Sequence, residues 1–188
     1  MLEETSNEDT RNVQDFMKFM PLANIRAKVQ KEANPFGVLL ANIEKDINVG
    51  GIIRTANNFN ARQVLYYGRK KYNRVGAMGT YLYMDVRYCP DFETVLKEAE
   101  GYTWIGFEQR PDAIPLSELT WPSSPLIVLG HEGSGFDLVP EVADRVEQWV
   151  QIPTLGTVRS LNVAAVGAIA MFDFITKTGQ DKPQDTRP

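Results

Sequence analysis

From residue 36 onward, apolar runs of strand length alternate with segments whose apolar positions recur at helical spacing. Residues 36–43 (FGVLLANI), 63–67, 85–88, 102–107 (YTWIGF), 126–129 and 148–152 read as strands. Several are continuous apolar runs, the pattern of strands covered on both faces. Between them, residues 48–60 read as a loop entering a helix, and 91–99 as an amphipathic helix with Asp91 as its cap after Pro90. Residues 138–143 read as a short helix, and 160–176 as a long apolar one rich in small residues. Pro111, Pro115, Pro122 and Pro125 make residues 110–125 mostly loop.

This alternation predicts an α/β domain with a mostly parallel sheet over residues 35–177. Ahead of it, residues 1–34 form an arm, loose and acidic over its first ten residues and then helical, with an offset at Pro21. Residues 178–188 are polar and are expected to be disordered. Ligands of such sheets bind past the carboxyl ends of the strands, here the loops after Ile43, Phe107, Leu129 and Ile152.

Composition narrows the class. A chain of 188 residues fits one domain, and its net charge of −4 argues against coating nucleic acid by bulk charge while leaving room for a local basic patch. One cysteine, Cys89, forms no internal disulfide and suits a reducing compartment. No apolar run reaches the length of a membrane span, and the acidic start is unlike a targeting segment. A soluble, cytoplasmic protein without membrane contact is expected.

Three segments carry candidate chemistry. The first, NVGGIIRTANNF from Asn48, sets a polar side chain, two glycines and Arg54 just after a strand. Arg54 offers a fixed cation and a planar donor fork suited to phosphate, or it is a plain surface arginine with Asn48 as a helix cap. The second, LGHEGSG from Leu129, places Glu132 among glycines at a strand end. His131 beside it suggests a metal or a base, but a lone histidine without a partner cluster is a weak ligand signal, and no metal is expected. The third, IPTLGTVRSLNV from Ile152, runs from a strand through a loop into a helix that Ser160 or Asn162 would cap. Separately, Arg62, Arg69, Lys70, Lys71, Arg74 and Arg87 lie among Tyr66, Tyr67, Tyr72, Tyr81 and Tyr83. Cations neutralise phosphates and aromatic faces stack on unpaired bases, so this stretch is a candidate RNA-binding surface.

In this order the three segments resemble the SpoU (TrmH-like) RNA ribose 2′-O-methyltransferases of the SPOUT superfamily, over roughly residues 36–176. The segment EGYTWIGFEQ stands where that family has a strand leading to its cofactor pocket. Asn60 departs from the glycine usual after Phe59, and His131 from the usual Asn, Ser or Ala. The resemblance implies an α/β knot with a deep trefoil at its C-terminal part. It implies S-adenosylmethionine as cofactor, held by Phe107, Glu108, Gly130, Ile152 and Leu161. It makes Arg54 the catalytic arginine, with Asn48, Glu132, Ser160 and Asn162 orienting it and the substrate. It also implies a homodimer acting on RNA, with tRNA favoured over ribosomal RNA by the EGYTWIGFEQ segment and Arg159. Two other classes stand beside it: a non-catalytic knot protein that binds S-adenosylmethionine or RNA, and a nucleotide-dependent oxidoreductase that uses GHEGSG as a dinucleotide loop.

Overall fold

The structure, a computed structural model, describes residues 9–68 and 71–180. Residues 1–8 of the loose start predicted over the first ten, and residues 181–188 of the tail predicted from 178, lie outside the described residues, as do Arg69 and Lys70. A 3₁₀ turn, Asp15–Met17, precedes α1 (Leu22–Lys31), which starts directly after Pro21. The chain then runs through β1 (Asn34–Ala41), α2 (Asp46–Asn58), β2 (Ala61–Tyr67) and β3 (Val86–Cys89). Next come α3 (Phe92–Glu98), β4 (Thr103–Phe107), β5 (Ile114–Pro115) and β6 (Pro125–Leu129), followed by α4 (Pro140–Ala143), β7 (Gln148–Gln151) and α5 (Val163–Lys177).

All seven strands join one sheet in the order β3-β2-β1-β6-β4-β7-β5, and every pairing is parallel. The strand period of two sends alternate residues to opposite faces. Phe36, Val38 and Leu40 of β1 join Ile127 and Leu129 of β6 beneath α2 and α5. Leu39, Leu126, Val128 and Trp104 face the other way, with Val95 of α3 and Val142 of α4. Both faces are therefore covered, which is why these strands read as unbroken apolar runs.

The proline-rich segment differs from its expected loop. It contains β5, two residues paired with β7 at the sheet edge, where a strand can carry Pro115 without losing a needed donor. The long helix also starts later than expected. Asn162, not Ser160, caps α5: its side-chain oxygen accepts from Ala164 N at 2.9 Å and Ala165 N at 3.4 Å.

Close packing fixes α2 at both sides. A Cβ on Gly50 would lie 2.7 Å from the backbone of Gly76, in the 3₁₀ turn Arg74–Ala77, so only glycine permits this approach. Past the other end of α2, Asn60 has φ +51, a left-handed conformation. This is the position where the resembled family has glycine, and asparagine is a residue that tolerates the same backbone. Its amide also donates to the Glu32 carbonyl at 2.6 Å, tying α1 to the domain. Asn60→Ala should therefore cost about 1–2 kcal/mol of stability and Asn60→Gly visibly less. Urea unfolding of both variants checks the order.

Candidate active site

The carboxyl ends of β1, β6, β4 and β7 open into one cavity of about 440 Å³. That volume lies within the range of small-molecule sites. All three motif segments reach it. Glu132 hangs from the turn after β6 and turns back to the start of α2. Its Oε2 accepts from Glu44 N at 2.8 Å, and its Oε1 from Lys45 N at 3.0 Å and Asn48 Nδ2 at 2.7 Å. Burial works to raise the Glu132 carboxyl, but these three donors outweigh it and hold the group below its ordinary value.

Asn48 lies in the first turn of α2, 4% exposed, and Lys45 is the residue at the cap. The capping reading of Asn48 is thereby corrected. Its side chain is a bridge instead: Asn48 Oδ1 accepts from Asn162 Nδ2 at 3.0 Å, while Asn162 Oδ1 caps α5. Glu132, Asn48 and Asn162 thus form a continuous relay from the second motif through the first to the third. A carboxylate, which only accepts, fixes one end, and helix N–H groups, which only donate, fix the other. Both amide orientations follow from these ends.

The remaining expected residues divide. Ser160 lines the same cavity, and so do Phe107, Glu108, Gly130, Ile152 and Leu161. Arg54 does not. It is exposed on α2, six residues beyond Asn48, roughly 9 Å along the helix axis, and pairs with no described residue. Of the basic stretch, Arg62, Lys71 and Arg74 are exposed, with the Arg74 guanidinium 4.8 Å from the centre of the Tyr81 ring. Arg87 is neutralised by Asp85 at 2.6 Å and by Glu98. The tyrosines are mostly committed too: Tyr66 packs against Tyr72 and Tyr88, and the Tyr67 hydroxyl donates to Glu141 at 2.6 Å. That bond, with burial, raises the Tyr67 phenol to about 12.

Glu44, His131 and Glu132 offer ligand atoms within 4.8 Å of one another. They are already in use. Glu132 holds three donors, and His131 Nδ1 accepts from Gly133 N at 3.0 Å and Ser134 N at 3.1 Å. The glycine turn closes on itself through paired His131 and Gly135 backbones, and the helix that follows is only the four residues of α4. It opens no helix N-terminus, so it does not work as a dinucleotide loop.

Sequence reasoning missed Gln109. Its side chain donates to the Ile152 carbonyl at 2.7 Å and holds the loop of the third motif over the cavity. Only its place two residues past a strand marked it.

Residues 35–172 match the SpoU rRNA Methylase family. The chain belongs to that family. Its fold is the family's α/β knot. The chain is 31% identical over 157 residues to the tRNA (guanosine(18)-2'-O)-methyltransferase TARBP1 of Mus musculus. The match covers 79% of this SpoU chain but only 10% of that relative's length. Among solved structures, the TrmH/SpoU tRNA modifying enzyme of A. aeolicus superposes with a TM-score of 0.72 at 19% identity, covering 85% of this chain and 83% of that one. The SpoU methyltransferase AviRb of Streptomyces viridochromogenes, in complex with AdoMet, gives 0.68 at 20% identity over 79% of this chain and 60% of that one. No described helix is long and apolar enough to cross a membrane.

Proposed function

We propose that the chain is an S-adenosylmethionine-dependent RNA methyltransferase that acts on a ribose 2′-oxygen, with tRNA favoured over ribosomal RNA. The observation that carries this is the Glu132–Asn48–Asn162 relay at the edge of a nucleoside-sized cavity. The relay fixes side-chain donors from three separate segments beside the cavity, with Asn48 buried at its centre, an arrangement suited to handling an acceptor as well as a cofactor.

The cavity fits the cofactor. Ile152, Leu161 and Phe107 offer apolar faces for a flat base. A Cβ on Gly130 would lie 2.8 Å from the Gly135 carbonyl oxygen, so only bare backbone lets the two sides of the glycine turn close on each other beside the cavity. Gly130, Ile152, Leu161, Phe107 and Glu108 would hold it. When bound, the cofactor supplies a methyl group activated by a sulfonium.

The chain's own residues handle the acceptor. Glu132, with three donors on its oxygens, is a poor proton acceptor and acts by holding Asn48 in place. Asn48 and Asn162 each keep one amide hydrogen beyond the relay, and such fixed donors favour an oxygen gaining negative charge. Ser160 adds a hydroxyl on the same wall. Arg54 offers a fixed cation and a planar fork of donors. Its place on the outer face of α2 suits a substrate phosphate lying across the helix, which sets the ribose over the relay.

Lys71 and Arg74 are exposed cations past the carboxyl end of β2 that RNA phosphates can meet, and Arg62 is an exposed cation at the amino end of that strand; Arg69 and Lys70 lie outside the described residues. The action of the mouse relative on tRNA supports the tRNA preference. A homodimer is supported by the exposed apolar side chains Leu155, Val158, Ile169 and Phe172 on α5 and the loop before it. Cytoplasmic placement is part of the same reading.

The test is transfer of label from S-adenosylmethionine to purified tRNA and ribosomal RNA, followed by nuclease digestion and mass spectrometry. Label in 2′-O-methylnucleosides, with tRNA preferred, is the expected result. Label on a base, or none, overturns the proposal.

A further inference from the structure

Two carboxylates line the cavity, and they are in opposite states. Glu132 is fully supplied with donors. Glu108, half-buried at the end of β4, receives no hydrogen bond from any described side chain; among the described residues the Phe136 N–H is the donor that faces it. Burial accordingly pushes its carboxyl up, with Arg110 opposing and Asp137 reinforcing the shift. Arg110 does not neutralise it by contact. That guanidinium is bonded to Asp112 at 2.6 Å and stacked 4.3 Å from the centre of the Trp149 ring. An ionised carboxylate has about four acceptor positions, and the described residues use few of those on Glu108.

The fold reserves room for this group. A Cβ on Gly135 would fall 1.9 Å from Glu108 Oε1, and Gly135 has φ +56. Any larger residue there would displace the end of the Glu108 side chain, and the carboxylate lies across the bare backbone of Gly135.

Sheet order says what meets it. Across the strand ends the sequence is β1, β6, β4, β7. The relay stands at β1 and β6, the apolar wall of Ile152 follows β7, and Glu108 stands between them on β4. A nucleoside donor has the same order of parts: a flat base, a ribose, and the reacting group. With the base against Ile152 and the reacting group at the relay, the ribose lies over β4. A vicinal diol brings two O–H donors to a carboxylate with free acceptors.

We propose that Glu108 binds the ribose diol of the nucleoside cofactor and that Gly135 is the glycine that makes room for it. This rests on the cofactor reading given above. The test is isothermal titration of the purified full chain with S-adenosylmethionine, S-adenosylhomocysteine, 5′-methylthioadenosine and 2′-deoxy-5′-methylthioadenosine. The wild-type protein should prefer methylthioadenosine over its deoxy form by roughly tenfold or more, the usual effect of a hydrogen bond to a charged group. Glu108→Gln should weaken the three ligands that carry the diol by a similar factor and shrink the preference to below about threefold. A misfolded variant would lose all four ligands alike, so an undiminished preference in Glu108→Gln overturns the assignment. Loss confined to S-adenosylmethionine would mean that the carboxylate reads the sulfonium charge. Loss confined to the two ligands with an amino-acid end would place it there instead. Either result also overturns the diol assignment. If the wild-type chain binds none of the four, the cofactor reading fails first, and this inference with it.

Discussion

Arg54→Ala should abolish methyl transfer, a fall of at least about a hundredfold in kcat/KM, while S-adenosylhomocysteine binds with unchanged affinity. The separation follows from position. Arg54 does not line the cavity, so the cofactor does not meet it. It is exposed and unpaired among the described residues, so its removal should move stability by no more than about 0.5 kcal/mol. Radiolabel transfer, titration calorimetry and a thermal melt on one preparation report all three quantities. Retained turnover would remove Arg54 from the mechanism. Retained chemistry with a raised RNA KM would make it a binding residue alone. Arg54→Lys should rescue poorly, because a lysine keeps the charge but not the forked donor geometry that suits a phosphate.

The second large effect is expected at Glu132. Glu132→Gln replaces a carboxylate that accepts from Glu44 N, Lys45 N and Asn48 Nδ2 with an amide that must turn an NH₂ toward one of those donors. Losing charge-assisted bonds of this kind costs about 1.5–3 kcal/mol, a fall of several degrees in Tm for a chain of this size. Activity should fall further than stability, because Asn48 loses the partner that fixes its amide. The pH dependence has a definite sign. The folded Glu132 carboxyl lies below its ordinary value of 4.5, so its contribution is present above that pH and is lost as pH falls through the folded value. Glu132→Gln should therefore flatten the acid limb of the stability curve and leave the neutral region uniformly lower. An unchanged acid limb would show that the carboxylate is not held as described.

The elements were legible because each follows from local pattern. Period and punctuation placed six of the seven strands and the cap of α3, where Asp91 accepts from Thr94 N at 2.8 Å. What local pattern could not show was the order of strands. β6 enters between β1 and β4, a placement decided by burial of both sheet faces and not by neighbours in sequence. β5 was missed because two residues carry no period.

The site was legible unevenly for a similar reason. The motif residues that meet at the cavity sit at strand ends, where topology forces convergence. Arg54 sits inside a helix, and spacing alone does not say which way a helix face points. The basic stretch looked stronger in sequence than in space, because Arg87 is spent on Asp85 and Glu98 and the tyrosines on one another. Asn48 looked like a cap because its partners lie 84 and 114 residues away.

Those separations bear on how the molecule is made. The Asn48–Asn162 bond joins residues 114 positions apart, across the knotted part of the chain. Contacts so distant in sequence form late, since loop closure must come first. A chain that had formed its sheet but not passed its C-terminal stretch through would lack this bond and the wall that Leu161 and Val163 add to the cavity. Ligand affinity then serves as a certificate of completed threading: in a refolding experiment, binding competence should return after the secondary structure, with the lag set by passage of the chain.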